Sequence, residues 1–212
     1  MAMLLGTIKV WQGTQLPNAA GEHRGRFFLV QGDSENEDVL YICAKDLNGT
    51  YRWQEVYADD PLAVYGNFID TTSQTCAAIN TATAVKMNTT DAAVGIHRDT
   101  TNTSRIVADH AGIYNFQFSF QLTKPNSNVG YVYIWARRNG TDIPNSATKM
   151  SLSGSGTAAV AAWNFIVSMA ATDYFEIYWA VDDTGIELSA PAATAFCPAT
   201  PSVLLSATRI SM

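Results

Sequence analysis

The 212 residues carry 13 basic and 19 acidic side chains, a net charge of −6, with 47% hydrophobic and only 15% charged positions. Low hydrophobicity and high charge mark a disordered chain, so this one is expected to fold around a real core. The acidic balance supplies no positive field for nucleic acid, and no apolar run reaches the ~18 residues that span a bilayer. Neither a nucleic-acid partner nor membrane insertion is expected.

In chain order, Met1 to Gly6 lacks the basic and apolar regions of a secretory leader. A small β unit follows: Arg26 to Val30, an acidic loop (Asp33, Glu35, Glu37, Asp38), Val39 to Ala44, and an Asn48-Gly49 hairpin leading into Tyr51-Arg52-Trp53. A composition break at Ala58-Asp59-Asp60-Pro61 suggests two domains, residues 1–58 and residues 61–212. A unit of that size with so few strands buries little surface alone. The alternatives are a small subdomain packed on the larger one and, the reading favoured here, a segment that gains stability by trimerising or by docking on another protein.

From Thr71 to Ser104 the chain is rich in Thr, Ala and Asn, with Val85-Lys86-Met87 and Ala93-Val94-Gly95-Ile96 as short strands. Gly112 to Leu122 then alternates strictly. Tyr114, Phe116, Phe118 and Phe120 fall on one face, and Asn115, Gln117, Ser119 and Gln121 on the other. Val132, Ile134 and Ala136 oppose Tyr131, Tyr133 and Trp135. Period-two runs continue through Trp163 to Met169 and Phe175 to Val181, and that period argues for strand at the Ala-rich Ala158 to Ala162. Turn residues at Pro125-Asn126, Asn139-Gly140, Gly154-Ser155-Gly156 and Asp183-Thr184-Gly185 separate the runs. The pattern predicts an all-β, antiparallel sandwich or barrel.

Chemistry-bearing residues are sparse. His23, His97 and His110 have no partner at zinc spacing and read as solvated loop histidines. Cys43, Cys76 and Cys197 form no CxxC pair, and Cys43 reads as a small buried hydrophobe. Ser155 lies outside the GxSxG spacing of a nucleophile elbow. Asp182-Asp183 offers oxygen ligands for calcium without the rest of a loop motif, so a solvated turn is the better reading. No catalytic residue, cofactor or metal is assigned, and no enzymatic activity is expected.

Taken in order, several segments resemble the jelly-roll heads of bacteriophage fibre and appendage proteins, in the superfamily of tumour necrosis factor and the complement globular heads. Tyr65-Gly66-Asn67-Phe68 resembles the head's first strand, and Asn88-Thr89-Thr90-Asp91 the turn before its second hairpin. Gly112-Ile113-Tyr114-Asn115-Phe116 resembles the family's glycine-tyrosine-phenylalanine strand, and Arg138-Asn139-Gly140-Thr141 its asparagine-glycine hairpin. Asp173-Tyr174-Phe175-Glu176-Ile177 and Pro201-Ser202-Val203-Leu204-Leu205 are similar to its late and closing strands. Residues 20 to 57 are similar to short modules that precede such heads. One departure is Thr172, where the family pattern places glycine before Asp173.

The resemblance implies a jelly-roll β-sandwich head behind a small β-rich attachment module, in a homotrimeric virion structural protein assembled in a host cytoplasm and placed on the virion surface. It implies other virion proteins as partners of the N-terminal module. Tail fibre, head fibre and capsid decoration protein remain alternatives, as does a head that binds a host receptor or glycan through loop aromatics such as Tyr57, Tyr65 and Phe196. The trimer interface is expected at Tyr131, Tyr133 and Trp135, aromatics opposite a core face, together with the amide-rich Asn115, Gln117, Ser119 and Gln121.

Overall fold

The computed structural model describes residues 10–33, 38–56 and 63–211. The Ala58–Pro61 break, Tyr57, and Glu35 and Glu37 of the acidic loop lie outside the described residues. The chain divides into two compact units, Met1–Asp60 and Pro61–Met212.

The first unit is one sheet in the order β1 (Val10–Gly13), β2 (Phe27–Val30), β3 (Val39–Lys45) and β4 (Tyr51–Glu55), with β1 parallel to β2 and the rest antiparallel. Gly49, at a φ of 85°, closes the β3–β4 turn, and Asp46 Oδ1 accepts the Asn48 and Thr50 amides. Phe28 and Cys43 are its buried hydrophobic residues among those described, so the core is thin and Cys43 is the small hydrophobe expected. His23 departs from expectation. Its ring packs 5.4 Å from Trp11 and 5.8 Å from Trp53, because a 3-10 turn over Gly21–His23 folds it back on the sheet.

The second unit holds the remaining strands. Its first sheet runs β15 (Thr157–Met169), β11 (Gly112–Lys124), β18 (Val203–Ser211), β5 (Tyr65–Asp70) and β8 (Thr89–Val94), with β17 (Glu187–Leu188) and β6 (Gln74–Thr75) continuing from the end of β11. The second sheet runs β14 (Thr148–Leu152), β12 (Gly130–Arg138), β16 (Tyr174–Val181), β10 (Ile106–Ala108) and β9 (Ile96–Arg98). Short β13 (Thr141–Asp142) joins β12, and β7 (Thr83–Ala84) joins β16.

Of eight principal strands, β5, β11, β15 and β18 lie in one sheet and β10, β12, β14 and β16 in the other, and the chain crosses between the sheets at every step except β12 to β14. That path is a jelly roll, an antiparallel β-sandwich. Asn139 at φ 51° and Gly140 at φ 76° turn β12 into β13, as an Asn-Gly hairpin requires. Residues 158–162 are strand, as their period indicated. Two local expectations fail. Asn88-Thr89-Thr90-Asp91 mostly enters β8 rather than turning, because Thr89 and Thr90 pair with Ile69 and Phe68. Val85 and Met87 are fully buried without being strand, with their amides bonded to the Ile177 and Thr103 carbonyls.

The core lies between the two sheets and begins at Val64, so this unit holds its own. Tyr114, Phe116, Phe118 and Phe120 point into it as alternation predicted, each at most 3% exposed. Register sets Phe118 beside Trp163 on one side and Leu205 on the other.

Candidate assembly interface

Because side chains alternate across a strand, burying one face of β11 commits the other to the outside of the sandwich. On the four strands β15, β11, β18 and β5, the outward positions carry no Asp, Glu, Lys or Arg. β11 presents Ile113, Asn115, Gln117, Ser119, Gln121 and Thr123. β15 presents Ala158, Val160, Ala162, Asn164, Ile166 and Ser168. β18 adds Leu204, Ser206, Thr208 and Ile210, and β5 adds Tyr65, Asn67 and Ile69. Val160 is 59% exposed and Ile166 65% exposed, on a strand with no charged residue along its whole length. Asp91 on β8 and Glu187 on β17 stand at the margins, bonded to Asn67 and Thr123.

The amides of this face form part of its order. Asn164 Nδ2 donates to Asn115 Oδ1 at 3.1 Å, and Gln121 Nε2 reaches Ser119 Oγ at 3.4 Å. Gln117, Ser119, Ala162, Asn164, Leu204 and Ser206 line a shallow depression of about 380 Å³ at its centre. β15 also ends the sheet. Its outer edge is a thirteen-residue strand without Lys, Pro or any charge, features that ordinarily shield an edge from pairing.

The other three residues expected at the interface lie elsewhere. Tyr131, Tyr133 and Trp135 sit on β12 in the opposite sheet, and they point out of the opposite side of the sandwich. One flat interface cannot hold both groups. Nor do these aromatics need a second chain to cover them. Lys149 Nζ lies 3.8 Å from the Tyr131 ring centroid and 5.3 Å from that of Tyr133. Trp135 leans on Tyr178 at 6.0 Å and donates from Nε1 to Asp142 Oδ1 at 2.7 Å. Arg137 stacks 3.8 Å over Tyr178 and bonds Asp142 through Nε.

Those bonds from Arg137 and Trp135 hold the Asp142 carboxyl below the ordinary carboxylate range. The stripe continues where Arg105 lies 4.2 Å over Tyr174, while Ser104 Oγ donates to the buried Glu176 at 2.7 Å. Cation–π stacks of this exposed kind contribute about 0.5–1 kcal/mol each. Aromatics on an outward face signalled burial in the sequence. The cation that covers Tyr131 and Tyr133 is Lys149 of β14, a placement that only register shows.

The remaining candidates are dispersed. Tyr65 is 44% exposed on the uncharged face, whereas Phe196 is 91% exposed on the loop between β17 and β18. His97 Nδ1 sits 2.7 Å from Asp109 Oδ1. Asp182 accepts the Tyr131 amide at 2.6 Å, and Asp183 accepts the Gly185 amide at 2.9 Å within the 183–186 turn, so both are turn residues as expected, partly exposed with their carboxylates engaged.

The second unit is thus an antiparallel jelly-roll β-sandwich with one outward face free of charge on β15, β11, β18 and β5. No protein-family model and no curated protein matches the chain. Among solved structures it is similar to the crystal structure of murine APRIL at 8% identity and a TM-score of 0.43, over 70% of this chain and 99% of that one.

Proposed function

We propose that this chain is a bacteriophage virion structural protein, a homotrimeric fibre or appendage displaying the jelly roll as its head on the virion surface. The observation that carries the reading is the uncharged outward face of β15, β11, β18 and β5. A sheet face kept in water normally bears charge, and this one carries exposed Ile and Val among amides that can bond across an interface. The corresponding trimer surface is therefore Asn115, Gln117, Ser119 and Gln121 with their neighbours on β15 and β18. The virion assignment draws on the strand motifs that resemble phage appendage heads. The thin core of the first unit supports its role as the attachment module, and the role assigned to the whole is architectural rather than catalytic.

Light scattering on the purified chain tests assembly, with three times 23.0 kDa expected. A mass of one copy at micromolar concentration overturns the trimer. Imaging phage particles labelled with an antibody to this chain tests the virion role and separates tail, head and capsid positions. Unlabelled particles overturn it. A head that also contacts a receptor or glycan is a second reading, favoured by Phe196 standing almost wholly in solvent. Glycan-array binding that disappears in Phe196→Ser supports it.

A further inference from the structure

Lys124 ends β11 and is wholly buried, an unusual place for a lysine. Its ammonium meets four oxygens: the Asn126 backbone carbonyl at 3.2 Å, Asn126 Oδ1, the Asn128 carbonyl, and Asp183 Oδ2 at 3.4 Å. The carboxylate is itself fixed, accepting from Asn126 Nδ2 and the Gly185 amide at 2.9 Å each. Two glycines make the room. A Cβ on Gly130 would stand 2.9 Å from Lys124 Cε, and one on Gly185 the same distance from Asn126 Nδ2.

Two backbone carbonyls, an amide oxygen and one carboxylate closing on a buried positive centre form the donor set of a hard-cation site. An ammonium has three donors and no acceptor, so an all-oxygen surround suits it equally. With one carboxylate, the cage balances a single positive charge.

We propose that Lys124 is a tethered cation in a monovalent-cation site, and that the cage takes potassium, ammonium or methylammonium once the lysine is removed. The lysine ties loop 125–129 to loop 182–186. The register Asn115–Thr208–Tyr65 places the start of β11 beside the start of β5. The cage therefore lies at the end of the sandwich farthest from where the chain enters it. An internal cation keeps those end loops ordered whatever the surrounding ions.

The test uses the full chain as Lys124→Ala in buffer whose cation is tetramethylammonium, too bulky for the cage. Its Tm is expected to fall by roughly 6–20 °C, the range for an uncompensated buried charge. Adding potassium, ammonium or methylammonium restores Tm saturably, as ligand linkage requires. The wild type, and Lys124→Ala combined with Asp183→Asn, do not respond. A folded Lys124→Ala that ignores all three cations overturns the proposal. Should that variant not fold, 15N-lysine NMR of the wild type decides: a caged ammonium gives a slowly exchanging Nζ resonance lost in Asp183→Asn, and its absence overturns the cage.

Discussion

Phe116 on β11 and Phe175 on β16 stack face to face, with ring centroids 3.9 Å apart and planes within 7°, joining the two sheets at the centre of the core. Both are fully buried. Phe165 and Tyr114 lie 6.0 Å away, so the pair anchors an aromatic layer rather than a single contact.

Phe116→Ala removes that layer's centre. Deleting a buried aromatic costs about 3–5 kcal/mol, and chemical denaturation should show a loss of that size. Phe118→Ala, whose ring meets Trp163 at 4.5 Å, should behave alike. Wild-type midpoints for both would mean that the two sheets pack loosely.

Ser119→Lys places a charge at the centre of the uncharged face without touching the core. The expected result is a folded chain whose scattering mass falls to 23.0 kDa. Tyr133→Ser, on the other side of the sandwich, should leave assembly unchanged. Dissociation by the second substitution and not the first would put the axis on β12.

Deleting residues 1–60 should leave a folded head, since every residue of the large buried cluster follows that point. Such a head is expected to assemble as the full chain does and to be missing from particles in a phage complementation experiment. Normal incorporation would locate attachment in the jelly roll.

Thr172 holds a φ of 71°, a left-handed conformation that a β-branched residue adopts only under strain. Its amide bonds the Ala108 carbonyl at 2.7 Å, which fixes the turn in place. Thr172→Gly should stabilise the head by about 1 kcal/mol, the relief of strain less the entropy of a glycine. Thermal denaturation would register this as a rise of about 2–4 °C.

Asp142, Asp173 and Asp183 all have lowered pKa values, chiefly through the Arg137 guanidinium, the Asn139 amide and the Gly185 backbone N–H respectively. A carboxylate depressed in the folded state adds stability above its unfolded pKa and loses it as pH falls through the folded value. Urea midpoints should stay level down to about pH 4 and decline below it. Asp142→Asn should flatten part of that decline, and a decline beginning near neutrality would point to other groups.

Much of the fold was legible in the chain because strand alternation is a local property. Tyr114, Phe116, Phe118 and Phe120 recur every second residue, and any sheet built from such a run must bury them together. The Asn139-Gly140 turn was legible for the same reason, since it depends on two adjacent backbones. Thr172 could be singled out as a position where glycine was expected, and its φ of 71° is the left-handed conformation that glycine would adopt without strain.

What lay beyond reach was the relation between outward faces. In sequence the two runs are alike in kind, each with a core face and a second face of its own, which is why the pattern alone points to one interface for Tyr133 and Gln117. Period two says that a face exists and not which sheet carries it. Strand order puts β11 and β12 in opposite sheets, register brings Lys149 over Tyr131, and the packing of the two sheets brings Asp183 to Lys124. The sequence by itself determined the strands, their buried sides and their tightest turns, because neighbouring residues settle these. Only the tertiary structure decided which outward surfaces join and which charges meet, because those pairings link residues far apart in the chain.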